Sequence, residues 1–166
     1  MNFKKIAVLT SKKSWFVPYT QELVNILNNK GYETKLFFYH EEISEEFEIV
    51  FILSYFKIIP YEFLKKHKHN LVIHESDLPE GRGWAPLFWQ ILENKNKIPI
   101  VLFEATENVD EGEIYLKDYI LLREDEIYDE IRKKQAIKST ELCLKFLENY
   151  ETLKPVKQQN KIPNLL

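Results

Sequence analysis

The sequence predicts a three-layer α/β domain around a mainly parallel sheet, and three observations carry that prediction. Short apolar runs alternate with segments of helical period along most of the chain. Polar turn residues close those runs. A chain of 166 residues that is 45% hydrophobic and 14% aromatic can bury a core, and its length suits one domain.

The elements follow in order. Residues 6–10 form a short apolar run that opens into Ser11, Lys12, Lys13 and Ser14, as a buried first strand should. Helical spacing follows in Tyr19, Leu23, Ile26 and Leu27, with Pro18 tolerated in the first turn and Gly31 placed to stop the helix. Residues 34–39 read as a second strand, the acidic stretch 41–48 as a solvated connection, and residues 49–53 as a third strand. A short helix is expected from Pro60 to about Lys66 and a fourth strand over 70–74. Pro86 starts a helix through Trp89 and Leu92 that ends in the polar cluster Asn94, Lys95, Asn96 and Lys97. A fifth strand covers 98–105, and 113–122 is a further strand suited to an antiparallel edge. The last helix carries Ile127, Ile131, Ile137, Leu144 and Leu147, beginning beside Glu124 and Asp125. The catalytic domain is thus expected over 1–153. Residues 154–166, with Pro155, Pro163, Leu165 and Leu166, form a tail that is either a strap across a surface or a disordered extension.

The net charge of −3 offers no extended basic surface, so a nucleic-acid partner is disfavoured. The only cysteine, Cys143, lies among Leu142 and Leu144 in a helical pattern and reads as a buried inert thiol, with no disulfide available. The apolar run before Lys12 and Lys13 is too short for a signal peptide or a membrane span. The protein is therefore expected to be cytoplasmic, with no membrane partner.

In parallel α/β sheets ligands bind beyond the carboxyl ends of the strands. That rule gathers residues 10–14, 54–60, 74–83 and 106–112 around one crevice. His74 closes a buried strand, where an imidazole emerges at the rim and serves as acid, base or donor; a histidine satisfied by neighbouring backbone fits that position equally. Asp110 precedes Glu111 and Gly112 in a loop where Gly112 permits a tight turn. Alone it reads as a turn aspartate; with His74 it makes a candidate acid and base pair. The residues themselves lead to an α/β enzyme with a His/Asp crevice, and no metal ligand set stands out.

The segment HESDLPEGRGWAPLFWQILENKNKIPIVLFEATENVDEGEI resembles the core of the folate-dependent formyltransferases, which act on methionyl-tRNA, glycinamide ribonucleotide or nucleotide sugars. The family pattern is met by His74, Ser76, Leu78, Pro79, Arg82, Gly83, Pro86, Trp89, Asp110 and Gly112. The likeness extends over about residues 6–147 and is strongest over 54–114. It implies a Rossmann-like formyltransferase domain in which 10-formyltetrahydrofolate donates a formyl group to an amine. His74 would stabilise the tetrahedral intermediate, and Asp110 would orient His74 and relay protons. The stretch SYFKIIP also resembles the family's segment beside the pterin. The cofactor pocket would therefore use Lys57, Ile58, Ile59, Thr106, Glu107, Asn108 and Val109.

Two departures stand out. The family's asparagine, two residues before the histidine, is Val72 here. Loss of an oxyanion donor typically costs about 3 kcal/mol. Asn70 shares that strand face but lies roughly 13 Å from His74 at about 3.3 Å per residue. The second departure is Phe103, where several members have a further histidine.

Family members acting on methionyl-tRNA carry an extra C-terminal domain, and a glycinamide ribonucleotide acceptor calls for a Gly-rich loop after the first strand. The expected acceptor is therefore a nucleotide-linked deoxyamino sugar. Ser11, Lys12 and Lys13 would hold phosphate, Trp15, Tyr39 and Trp84 would stack on a base or sugar face, and Arg82 would complete the substrate site. Core packing of the aromatics and solvated lysines remain the alternative reading. The resemblance leaves room for a homodimer. It also leaves two other functions, a 10-formyltetrahydrofolate hydrolase and a folate-binding domain impaired by Val72.

Overall fold

A computed structural model describes residues 3–158; Pro163, Leu165 and Leu166 of the expected tail lie outside the described residues. Six strands form one sheet: β1 (Lys5–Leu9), β2 (Glu33–Phe37), β3 (Ile49–Ile52), β4 (His69–His74), β5 (Lys97–Glu104) and β6 (Ile114–Leu121), in the order β2-β1-β3-β4-β5-β6. The helices are α1 (Val17–Asn29), α2 (Tyr61–Leu64), α3 (Pro86–Leu92) and α4 (Tyr128–Glu148), with a 3-10 turn at His40–Glu42.

Strands β1 to β4 are mutually parallel and every residue of β3 is buried, which explains its unbroken apolar run. Leu23, Val24 and Leu27 of α1 pack with α4 residues Ala136, Leu142, Cys143 and Phe146 against one face, where Ile6, Val8, Phe51 and Leu71 meet them. Burial of Cys143 pushes its thiol pKa far up, consistent with an inert core position. The other face is covered more thinly, by Ile43 and Phe47 after the 3-10 turn and by Phe63 and Leu64 of α2. Three layers result.

The last helix begins later than the sequence suggests. Its first turn carries Asp129 and Glu130 rather than Glu124 and Asp125, and the Glu130 carboxylate accepts the Ile127 N–H at 3.1 Å. That bond satisfies one orphan donor of the helix start and fixes the boundary.

One strand runs against the rest. Strand β5 pairs antiparallel with β4, Leu71 opposite Glu104 and His74 opposite Val101, and β6 pairs antiparallel with β5 as the edge. Helix α3 has only 7 residues, about 10 Å at 1.5 Å each, against roughly 20 Å for the six residues of β4. The connection through α3 returns the chain to the carboxyl end of β4, where β5 enters. The expectation that 106–112 sits at the crevice because it follows a parallel strand is therefore corrected. The carboxyl end of β5 lies beside Leu71, and the loop must climb back to reach His74.

Beyond α4, Val156 pairs with Ile114 through two hydrogen bonds of 2.8 Å, so the described part of the tail is a strap along the start of β6. No helix among the described residues is long and apolar enough to cross a membrane.

Candidate active site

His74 closes β4 and is only 6% exposed. Its Nε2 lies 2.6 Å from the Gly81 carbonyl and 3.8 Å from Asp110 Oδ2. Both neighbours are acceptors, so Nε2 carries a proton. Gly81, at φ +69°, can turn its carbonyl onto the histidine, and a Cβ there would meet Ser76 Cβ at 2.8 Å.

Asp110 is brought to His74 by the climbing loop. Its backbone is left-handed, φ 56°, and Oδ2 accepts the Gly83 N–H at 2.9 Å. Arg82 Nε donates to the Asp110 carbonyl at 3.2 Å. Gly112 ends the climb: a Cβ there would lie 1.5 Å from the Glu104 carbonyl oxygen, so the chain passes β5 too closely for any other residue. Gly112 thus serves close approach to β5 rather than the tight turn expected of it.

The pair faces a cavity of about 360 Å³ lined by six stretches of chain around the end of β4 and by one face of α4. Lys57, Ile58, Ile59, Thr106, Glu107, Asn108 and Val109 all line it. Lys57 Nζ sits 4.7 Å from the Tyr39 ring centroid, and Thr106 Oγ1 donates to the Asn108 carbonyl at 2.9 Å. Trp15 and Trp84 also line the cavity. Trp84 is 67% exposed and stands edge-on to Phe56 at 6.1 Å.

The other substrate candidates lie elsewhere. Ser11, Lys12 and Lys13 do not contribute to the lining. Ser11 accepts the Phe56 N–H at 2.8 Å and joins the loops after β1 and β3. Arg82 is held by the protein itself: besides Asp110, it reaches Gln158 Oε1 at 2.9 Å and Glu111 at 3.6 Å.

Glu75 was not singled out from the sequence, although it lies inside the motif beside His74. The carboxyl accepts from Gln135 Nε2, and burial pushes its pKa above the usual carboxylate range against that bond and the His74 charge. Gln135 in turn accepts from Arg132 at 2.7 Å, whose guanidinium lies 4.5 Å from the Trp15 and Phe88 rings and 5.2 Å from Tyr128. All of these except Tyr128 line the cavity. On the sequence, Arg132 and Gln135 sit in a polar helix that resembles a solvated face. Only their i, i+3 spacing places them on one side.

The formyl transferase family model matches residues 4–147. The chain belongs to the formyl transferase family. Methionyl-tRNA formyltransferases of Ehrlichia canis and Rickettsia prowazekii are 32% and 34% identical to it over 114 residues. Those alignments take in 68% of this chain, which spans 38% of those relatives' length. Among solved structures, a methionyl-tRNA formyltransferase from Clostridium thermocellum matches with TM-score 0.78 and 24% identity, over 95% of this chain and 70% of that one. HypX from Aquifex aeolicus with tetrahydrofolic acid matches with TM-score 0.75 and 22% identity, over 97% and 29%. A sugar N-formyltransferase from Shewanella matches with TM-score 0.70 and 16% identity, over 97% and 75%. These likenesses carry the fold.

Against the family pattern, the structure shows what Val72 does. It lines the cavity and packs between the cluster under α2 and the cluster of Leu78, Val101 and Phe103. It offers no donor. Asn70 does not replace it, because Asn70 Nδ2 donates to the Leu64 carbonyl at 2.8 Å in the buried turn after α2. Phe103 is buried to 1% exposure and packs beside Gly112. Among the described residues, no group of three or more acidic, histidine or cysteine side chains is arranged to hold a metal.

Proposed function

We propose that this protein transfers a formyl group from 10-formyltetrahydrofolate to the primary amine of a small acceptor, a nucleotide-linked deoxyamino sugar. The observation that carries the reading is His74 and Asp110 at 3.8 Å on the wall of one cavity that also contains Glu75. A volume of about 360 Å³ lies within the range of small-ligand pockets. Its lining by residues 57–59 and 106–109, with exposed Ile58 and Val109, fits a flat heterocycle that needs main-chain hydrogen bonds and apolar contact. When bound, 10-formyltetrahydrofolate supplies the activated formyl group.

The chain's own residues do the rest. Nδ1 of His74 donates, when charged, to an oxygen that gains negative charge, and when neutral it takes up a proton. The Asp110 carboxylate lies on the Nε2 side and balances an imidazolium. Glu75 acts as the carboxylate, which pairs with the incoming ammonium and takes the proton that frees the amine's lone pair; burial, by raising its pKa, makes it the stronger base for that step. The rings of Trp15, Phe56 and Trp84 hold the acceptor's base or sugar face.

The names of the curated relatives favour a second reading, a methionyl-tRNA acceptor. The two separate in one experiment. The protein is incubated with 10-formyltetrahydrofolate and either nucleotide-linked amino sugars or methionyl-tRNA, and products are weighed by mass spectrometry. The proposal expects a gain of one formyl group on a sugar nucleotide. Formylation of the tRNA alone overturns the acceptor, and formate release without either acceptor points to a hydrolase.

A further inference from the structure

We infer that Gln158, on the strap after α4, is a positioning residue that holds Asp110 against His74. The inference rests on the proposed roles of that pair. Its starting point is the reversed β5, which delivers the chain to the wrong end of the sheet beside Leu71. Residues 105–113 then have to be held up at the rim, with Asp110 in a left-handed conformation that an aspartate adopts at some cost.

Gln158 supplies that hold. Its Nε2 donates to the Asp110 carbonyl at 2.8 Å and to the Gly112 carbonyl at 2.9 Å, while Oε1 accepts from Arg82 Nη2 at 2.9 Å. The orientation of this amide is forced, because the two carbonyls only accept and the guanidinium only donates. Arg82 Nε closes the circuit on the same Asp110 carbonyl. One side chain thus ties the turn bearing Arg82 to both ends of the Asp110 bend. Val156 anchors the segment just before it on Ile114. Gln158 itself does not line the cavity, so it acts through Asp110 and not by touching a ligand.

A carboxylate displaced by about 1 Å at a reacting centre can cost on the order of a hundredfold in rate. The prediction is therefore a change in kcat with little change in KM. The test is steady-state turnover of 10-formyltetrahydrofolate by the full chain, with the acceptor found in the panel above or with water if none is found. It compares wild type, Gln158→Ala, Gln158→Glu, Asp110→Ala and the Gln158→Ala/Asp110→Ala pair. Gln158→Ala should lower kcat by at least about tenfold and leave KM for the folate within about threefold. Gln158→Glu retains an acceptor for Arg82 but has no donor for the carbonyls, and should be as slow. Because the effect passes through Asp110, the double variant should be no slower than Asp110→Ala. Backbone amides of 105–113 should exchange faster in Gln158→Ala. Full kcat in Gln158→Ala beside a slow Asp110→Ala would overturn the inference alone, as would a double variant in which the two losses multiply. Full rate in Asp110→Ala would overturn the site reading and this inference with it.

Discussion

At the scale of single residues, Glu75 separates what suits stability from what suits chemistry. Its carboxyl has a pKa raised above 4.5 in the folded chain, chiefly by burial. Below pH 4.5 the folded and unfolded chains are both protonated and no penalty exists. As pH rises from there toward the folded pKa, the unfolded chain releases its proton first, and stability is lost. Glu75→Gln removes that loss while its amide oxygen can still accept from Gln135. We expect its melting temperature to exceed wild type at pH 7, and the difference to vanish near pH 4. Formyl transfer should fall at least about tenfold, since a positioned acid or base contributes that much or more. A variant equally stable at both pH values would contradict the burial argument; unchanged transfer would remove Glu75 from the acceptor site. His74 and Asp110 were legible as separate rim residues, and the family pattern joined them. Glu75, Arg132 and Gln158 were not legible. The side-chain partners of Glu75 and Gln158 lie 46 or more residues away, as in the Gln158 to Arg82 bond with a separation of 76, and the Trp15 and Phe88 rings that flank Arg132 come from other elements, so no local pattern marks these residues.

At the scale of elements, the strands and helices were readable because apolar runs and 3.6-residue spacing are local properties. The direction of β5 was not, since a buried apolar strand looks the same whether its neighbour is parallel or antiparallel. The direction shows only in the pairing, with Leu71 opposite Glu104 and His74 opposite Val101. The start of α4 was misplaced for a related reason. Acidic residues favour any first turn, and only the Glu130 to Ile127 bond selects one. The climbing loop gives a prediction at this scale. In Gly112→Ala the new methyl group meets the Glu104 carbonyl, and the loop must shift away from β5. Stability measured by urea unfolding should drop by about 1–3 kcal/mol, and the rate should fall with it because Asp110 moves. Wild-type activity in this variant would show that the loop tolerates displacement and that the His74 to Asp110 distance is not critical.

At the scale of the whole molecule, the cavity straddles the end of β4, lined from the thinly covered face by Leu64 and Val72 and from the other by Phe88, Arg132 and Gln135. One face is filled by α1, α3 and α4, while the other carries only the 3-10 turn, α2 and two loops. The cavity therefore opens where the parallel strands end and the reversed strand returns its loop. The fold class followed from alternation along the chain; the acceptor did not, because its specificity lies in side chains from separated segments. The central claim is that His74 and Asp110 form the reaction centre. Its most direct test is single-turnover formyl transfer by wild type, His74→Asn and Asp110→Asn, with tetrahydrofolate affinity measured in parallel by calorimetry. The account predicts affinities within about threefold of wild type and rates lower by about a hundredfold or more. Rates within threefold of wild type in either variant would contradict it.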